Sequence, residues 1–186
     1  MRAVFIRHGL TAGNLEKRYI GSTDEPLCGE GIARLKMRTY PRCEVLVCSP
    51  MKRCLQTAEL IFPRQDIITD SDLRECGFGD FEGRNYAGLS GNADYQRWID
   101  SGGALPFPNG ESPQDFRERC TSAFERLVSR YGASQSLAFV VHGGTIMSIL
   151  EKYAVPRRDY FGWHCENGCG YICEWNGPEL HITEKL

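Results

Sequence analysis

The residue types best suited to phosphate chemistry stand directly after apolar runs of the sequence. Residues 3–6 are apolar and lead into Arg7 and His8, and residues 137–141 lead into His142. An imidazole can act as a nucleophile or as an acid–base group, and a guanidinium presents a planar fork to the oxygens of an anion. The pattern therefore indicates a site for an anionic group at the ends of strands.

Arg53 and Glu75 would complete such a site. Arg53 follows the apolar run 45–49 in the first turn of a predicted helix, and Glu75 opens the glycine-rich segment 76–83. Transfer of a phosphoryl group needs cations for its oxygens, a nucleophile, and a proton for the leaving alkoxide. Arg53 could also be a solvated surface cation, and His8 could be a polar strand end. Together, however, these residues favour a phosphate site.

The apolar runs are predicted to be strands of an α/β sheet. Short apolar runs bounded by glycine are typical of buried strands, and ligands of such sheets bind beyond the carboxyl ends of the strands. A further strand is predicted at residues 66–69. Residues 170–175 and 180–183 are predicted to form a closing hairpin around Asn176-Gly177-Pro178.

Helices are predicted between the strands. The longest would have Ser112 as its N-cap and carries an apolar stripe as far as Tyr131-Gly132. Ser49 is likewise predicted to be an N-cap, with Pro50 as the first helical residue and Pro63 ending the helix. The other predicted helices cover residues 29–40, 86–89 and 93–99, with one more between His142 and Val155-Pro156.

The chain resembles the histidine phosphatase superfamily, in the branch shared by cofactor-dependent phosphoglycerate mutases and small phosphatases. Motifs in the order of that family span nearly the whole sequence: R-H-G-x-T-x-x-N at 7–14, S-P-x-x-R at 49–53, E-x-x-F-G-x-x-E-G at 75–83, G-E-S at 110–112 and V-H-G-G at 141–144. The resemblance implies an α/β, phosphoglycerate mutase-like fold: a three-layer sandwich whose central, mostly parallel sheet is flanked by helices. We expect one domain over residues 1–186, with about 77–110 as an insertion that caps the active site.

The resemblance also implies catalysis through a phosphohistidine. His8 would be the nucleophile, Glu75 the general acid and then base, and His142 a hydrogen-bond donor to the transferring phosphoryl group. Arg7 and Arg53 would hold the phosphoryl oxygens. Because these side chains supply the positive charge, we expect neither a metal nor a cofactor.

Residues of the same motifs are expected to bind the substrate. They are Arg7, Thr11, Asn14, Thr23, Arg53, His142 and Gly143. Asn14 could instead be a turn residue, and Arg18 could contact substrate or be solvated. Residues 10–14 are predicted to form a loop or first helical turn whose free N–H groups face the site. Leu10 departs from the family pattern, in which most members carry glutamate or glutamine.

Residues 18–27 are most similar to the R-Y-x-G-x-T-D-x-P-L segment of α-ribazole phosphatases. The implied activity is hydrolysis of a small-molecule phosphate monoester, with α-ribazole 5′-phosphate of cobalamin biosynthesis as the first candidate. A mutase-like phosphotransferase, a broad-specificity phosphatase and a non-catalytic binder of a phosphorylated ligand are alternatives. Mutases of this branch carry a longer enclosing insertion, which favours the phosphatase. Tyr95, Trp98 and Phe107 are expected to line an apolar wall or to be local core.

Composition restricts the partners. A chain of 186 residues with 41% hydrophobic content can form one good core, and a net charge of -2 gives no basic surface for nucleic acid or anionic membranes. No run approaches the roughly 20 apolar residues of a membrane span. Met1-Arg2 leads straight into the first strand, which leaves no room for a signal peptide. We therefore expect a cytoplasmic monomer or homodimer that acts on a small molecule.

The nine cysteines are predicted to be reduced and mostly packed in the core. Residues 165–173 and 43–54 hold three cysteines each, but neither cluster has the two paired knuckles of a structural zinc site. His164 and His181 have no predicted role.

Overall fold

A seven-stranded sheet forms the centre of the computed structural model, which describes residues 1–186. Its strands are β1 (Arg2–Arg7), β2 (Val45–Cys48), β3 (Ile67–Thr69), β4 (Ser136–Val141), β5 (Ala154–Val155), β6 (Gly170–Trp175) and β7 (Leu180–Lys185). They lie in the order β3-β2-β4-β1-β6-β7-β5. The pairings β1–β4, β2–β4, β2–β3 and β5–β7 are parallel, and β1–β6 and β6–β7 are antiparallel. The predicted, mostly parallel sheet and its closing hairpin are thus confirmed.

Seven α-helices accompany the sheet. They are α1 (Ala12–Leu15), α2 (Gly29–Lys36), α3 (Lys52–Ile61), α4 (Tyr86–Leu89), α5 (Ala93–Asp100), α6 (Pro113–Arg130) and α7 (Gly143–Tyr153). Ser112 caps α6 as predicted, because its Oγ accepts a hydrogen bond from the N–H of Asp115 at 3.0 Å. None of these helices combines the length and the apolar character that crossing a membrane would require.

The helices cover both faces of the sheet because the central strands are apolar on both. On one face, the ring of Phe5 stacks on Phe139 at 5.1 Å between centroids and lies 5.8 Å from Phe124 of α6. On the other face, Ile6 belongs to a buried cluster with Cys54 of α3. These two cores define the three-layer sandwich that the resemblance implied.

Residues 77–110 pack into a third apolar cluster above the carboxyl edge of the sheet. It contains Phe81, Tyr95 and Phe107 and joins the body of the protein through Phe116 of α6. Trp98 packs against it, with its ring centroid 5.3 Å from that of Phe107. Tyr95 is therefore local core, whereas Trp98 and Phe107 also line the cavity described below.

Two helices and one short strand differ from the prediction. Helix α3 begins at Lys52 with Met51 as its N-cap, because the N–H of Ser49 still bonds to Val140 O at 3.1 Å and holds that residue in extended backbone. Helix α2 ends at Lys36 instead of residue 40. The short strand β5 was not predicted, since two residues carry no periodicity and its partner β7 lies about 25 residues further along the chain.

All nine cysteines are free thiols, and seven of them are buried. Burial raises the pKa of the Cys165 thiol to about 11 and that of Cys173 to about 12. The prediction that the cysteines pack mostly in the core is confirmed.

Candidate active site

Three adjacent parallel strands bring His8, Ser49 and His142 to one edge of the sheet. Each residue directly follows its strand, and β4 lies between β1 and β2. The N–H of His8 continues the ladder to Val141 O at 2.9 Å. The ring centroids of His8 and His142 are 5.2 Å apart. The predicted juxtaposition of the two histidines is therefore a result of strand order.

The ring of His8 is held as a neutral imidazole with a free Nε2. Its Nδ1 lies 2.7 Å from Gly9 O, and because a carbonyl only accepts, Nδ1 carries the proton. Burial first, and then the charges of Arg53 and Arg7, lower the pKa of His8 well below 6.5. The side chain is 4% exposed and lines the main cavity. Its Nε2 therefore has the lone pair of a nucleophile.

His142 lies behind His8, fully buried and outside the cavity lining. Arg53 Nε donates to its Nδ1 at 3.3 Å, so Nε2 carries the proton and donates to Ser49 Oγ at 2.8 Å. Burial and the charge of Arg53 lower its pKa well below 6.5. Both ring nitrogens are thus already engaged by the protein, and direct contact of His142 with a phosphoryl group stays a prediction.

Arg53 is also fully buried, on the second residue of α3, and does not line the cavity. Its Nη1 donates to Thr23 O at 2.7 Å and its Nη2 to Gly21 O at 2.9 Å. The guanidinium therefore ties the loop that contains these two residues to the histidine pair. The surface-cation alternative for Arg53 is wrong, and its contact with a phosphoryl oxygen stays a prediction.

Arg7 is the cation that faces the cavity. Its Nη1 donates to Cys165 O at 2.7 Å and lies 3.3 Å from His164 Nε2. Its Nε is buried without any hydrogen-bond partner. A Cβ on Gly143 would lie 3.3 Å from that nitrogen, so the glycine leaves it uncrowded. Nη2 likewise has no protein partner but is not buried, so it is the donor that an anion in the cavity could reach.

The amide of Asn14 presents its NH₂ group to the same cavity. Its Oδ1 accepts hydrogen bonds from Thr11 N at 3.3 Å and from Asn167 Nδ2 at 3.0 Å, which leaves Asn14 Nδ2 without a protein partner. Asn167 Nδ2 also donates to His8 O at 3.0 Å. Asn167 was not predicted, because it lies in a loop whose sequence carries no recognisable motif.

The predicted first helical turn is present as α1, but two of its N–H groups are not free to bind an anion. The N–H of Gly13 bonds to Glu25 Oε2 at 2.9 Å, and the N–H of Asn14 bonds to Thr11 Oγ1 at 3.2 Å, so neither is free. Thr11 is a buried N-cap, and Thr23 contributes a carbonyl to Arg53; neither lines the cavity. Contact of either hydroxyl group with substrate stays a prediction.

Glu75 is the one carboxylate residue that lines the same cavity. Its Oε1 accepts from Cys76 N at 3.0 Å and its Oε2 from Gly144 N at 3.1 Å, which fixes the group at the start of α7. Two nearby carboxylates are occupied elsewhere. Glu82 Oε1 accepts from the N–H groups of Gly21 and Thr23. Glu111 is bound by Arg119 at 2.6 and 2.8 Å.

The main cavity has a volume of about 280 Å³, and ten of its 21 lining residues are hydrophobic. Arg7, His8, Asn14, Glu75 and Gly143 lie at its polar end. Its aromatic residues are Tyr19, Phe78, Trp98, Phe107, Phe116, Tyr160 and Phe161. The cavity therefore offers a polar end that suits a phosphoryl group and an apolar space beside it.

Two further cations line the cavity, and both are paired. Arg18 lies 3.3 Å from Glu25 in an ion pair. Arg117 stacks on Tyr160, with its guanidinium carbon 4.3 Å from the ring centroid. His164 also lines the cavity, and burial and the charge of Arg7 lower its pKa. No role was predicted for His164, because its neighbour Arg7 is 157 residues away in the chain.

Comparison with known proteins identifies a single family. A family model for the histidine phosphatase superfamily, branch 1, matches residues 3–185. The adenosylcobalamin/alpha-ribazole phosphatase of Salmonella typhimurium is 32% identical over 94% of this chain and 92% of its own. The probable phosphoglycerate mutase GpmB of Escherichia coli O1:K1 / APEC is 33% identical over 100% of both chains. The solved structure of the alpha-ribazole phosphatase from Shigella flexneri is similar with a TM-score of 0.85 and 25% identity, covering 98% of this chain and 95% of that one.

Proposed function

Because the chain belongs to the histidine phosphatase superfamily, branch 1, we propose that it hydrolyses a small-molecule phosphate monoester through a phosphohistidine on His8. The observation that carries this proposal is the state of the His8 ring. The Gly9 carbonyl fixes the proton on Nδ1, and burial with two neighbouring arginines keeps the ring neutral. Nε2 is therefore a lone-pair nucleophile in a cavity that also holds a cation and a carboxyl group.

In the first step, Nε2 of His8 attacks phosphorus and the bond from phosphorus to the ester oxygen breaks. Arg7 Nη2 and Asn14 Nδ2 hold the phosphoryl oxygens, since neither donor has a protein partner. Glu75 in its protonated form gives its proton to the leaving oxygen. Arg53 would add positive charge from behind His8.

In the second step, water attacks the phosphohistidine. Glu75, now a carboxylate, takes a proton from the water, and the electron pair of the breaking N–P bond returns to Nε2 of His8. Inorganic phosphate leaves, and both side chains are restored. His142 acts here by holding the side chains of Arg53 and Ser49 through its two hydrogen bonds. We propose that His142 binds the phosphoryl group directly only if these hydrogen bonds rearrange.

We propose α-ribazole 5′-phosphate as the first substrate candidate. The relatives named alpha-ribazole phosphatases support it, and so does the apolar part of the cavity. The base of α-ribazole is a flat aromatic ring system, which would pack well against aromatic side chains such as Phe78 and Trp98. The segment 77–110 would then act as a cap.

A phosphoglycerate mutase is the second candidate. Chain length alone does not decide against it: the match to the probable mutase GpmB covers both chains, although its 217 aligned positions include at least 31 gaps in this 186-residue chain. The cavity does argue against it, since a small anionic acid would gain little from an aromatic wall, and Arg18 and Arg117 are already paired. A substrate panel separates the two: we expect kcat/KM for α-ribazole phosphate to exceed that for phosphoglycerates and phosphoserine by at least about tenfold. The reverse order would contradict the cobalamin assignment.

Glu75→Gln tests the mechanism itself. The amide cannot protonate a leaving oxygen, so kcat on an alkyl phosphate should fall by roughly 10²–10⁴. An aryl phosphate with an acidic phenol needs no such proton, so the variant should still phosphorylate His8 and then stall. Rapid quench should record a burst of about one phenol per site, with the phosphoprotein visible by intact mass. His8→Ala is the control, and it should give neither signal.

Equal losses of Glu75→Gln on alkyl and aryl substrates, with no trapped phosphoprotein, would show that another group is the acid. We also propose that turnover is independent of metal, since Arg7 and Arg53 supply the positive charge. Activity should persist in excess EDTA, and vanadate should inhibit as a mimic of the five-coordinate transition state. Loss of activity on chelation, with recovery on adding zinc or magnesium, would contradict this mechanism.

A further inference from the structure

A second cavity of about 300 Å³ adjoins the active site, and Glu75 is the only residue that lines both. The character of the two spaces differs. Met51 is the single hydrophobic residue of the second cavity, whose polar lining includes Ser22, Arg74, Glu111 and Arg119. The main cavity is apolar over about half of its lining. The general acid–base candidate thus stands between an apolar space and a polar one.

The wall between the two cavities is made of backbone. A Cβ on Gly21 would lie 1.8 Å from Cys76 O, so the chain segments that carry these residues are in direct contact. The same glycine is held from two sides, since its carbonyl accepts from Arg53 and its N–H donates to Glu82. This wall is therefore fixed, and Glu75 is the one residue that faces both spaces.

The second cavity is suited to water. Its residues Ser22 and Arg74 are exposed, so it reaches the solvent there. A water molecule needs only about 10–15 Å³ of such volume and two to four polar partners, and charged side chains provide those partners. By contrast, the apolar part of the main cavity would be filled by the alcohol part of the substrate.

We propose that the second cavity delivers the water that hydrolyses the phosphohistidine. This inference rests on the proposed function. When the alcohol withdraws from phosphorus, water enters past Glu75 without crossing the apolar cavity that the alcohol still occupies. Its oxygen bonds to phosphorus, the N–P bond breaks with its electron pair remaining on Nε2 of His8, and Glu75 takes the proton. The route would favour hydrolysis over transfer to a second alcohol.

Two variants that narrow the second cavity test the proposal. Ser22→Trp places a large ring at its mouth. Gly77→Leu adds a side chain at a position where a Cβ meets Glu111 only at an ordinary 3.8 Å. Ser129→Trp is the matched control, because Ser129 is exposed on α6 and lines neither cavity. None of the three residues has a role in the chemistry proposed above.

The readout is the partition of the phosphoenzyme between water and added glycerol. With an aryl phosphate, the ratio of phenol released to inorganic phosphate released measures that partition. Glycerol enters through the main cavity, so both variants should raise transfer to glycerol, relative to hydrolysis, by about fivefold or more, while the control stays at the parent value. Rapid quench should give phosphorylation rates within about twofold of the parent protein.

The possible failures are distinguishable. If the parent protein forms no phosphoenzyme, the proposed function is wrong and this inference falls with it. If the phosphoenzyme forms but neither variant changes the partition, the proposed function stands and water arrives by another route. Ser22 lies in the loop that Arg53 holds, so Ser22→Trp could also slow phosphorylation. In that case the partition measured in Gly77→Leu alone tests whether the second cavity delivers the water.

Discussion

Gly144→Ala would show how closely the activity depends on the position of the Glu75 carboxyl group. A Cβ on Gly144 would lie 2.3 Å from Glu75 Oε1 and 2.8 Å from Cζ of Phe116. Ordinary contacts of a Cβ begin near 3.4 Å, so the carboxyl group has to move by about 1 Å. The substitution leaves the carboxyl group itself, and every residue that binds phosphate, unchanged.

The expected loss follows from that displacement. A shift of about 1 Å in a reacting group can cost about 10²-fold, which lies within the range for losing a general acid. We therefore expect kcat for an alkyl phosphate to fall by roughly 10²-fold. Phosphorylation of His8 by an aryl phosphate should change little, because its leaving group needs no proton. Overpacking against Phe116 should also lower the free energy of unfolding by about 1–3 kcal/mol.

The assay pairs steady-state rates on the alkyl substrate with rapid-quench rates on the aryl substrate. Gly29→Ala is the matched control, since a Cβ there meets nothing within 4 Å. Urea denaturation checks that the variant is folded at the assay temperature. Equal losses on both substrates, or parent-like rates on the alkyl substrate, would refute the role of Glu75 as a positioned acid.

Three other predictions concern the support of the site. Ser49→Ala leaves the buried Nε2–H of His142 with only the weakly accepting Cys54 Sγ, at 3.5 Å, so the free energy of unfolding in urea should fall by about 1–3 kcal/mol; an unchanged value would contradict the hydrogen bond to Ser49. Asn167→Ala removes the hydrogen bond that orients the amide of Asn14, so we expect kcat/KM to fall by about tenfold with an unchanged pH profile. Asn167→Gln should show the same loss, because its longer side chain cannot keep the position of the donor. His8 and His142 have pKa values lowered below 6.5 in the folded state, so the unfolded chain binds more protons below that pH. The free energy of unfolding is therefore highest above about pH 6.5 and falls as the pH decreases, by up to about 1.4 kcal/mol per pH unit for each histidine. In His8→Gln, the free energy of unfolding measured in urea should depend less steeply on pH below about 6.5 than in the parent protein.

The sequence by itself determined the parts of this protein that depend on near neighbours in the chain. Apolar runs bounded by glycine predicted the central strands, and the N-cap at Ser112 predicted the start of α6. The position of His8 at a strand end, and its bond to the carbonyl of the next residue, follow from the same local signals. The motif order implied the family, which the match over residues 3–185 confirms.

The tertiary structure alone decided which of these residues face the cavity. Arg53 and His142 have the motif context of substrate ligands, yet both are buried behind His8. Ser49 has the local signature of a helix cap, yet its hydroxyl binds a histidine 93 residues away, and Asn167 orients an asparagine 153 residues away. Local propensity cannot predict such partners, because they come into contact only when β4 lies between β1 and β2 and the last loop packs over the strand ends.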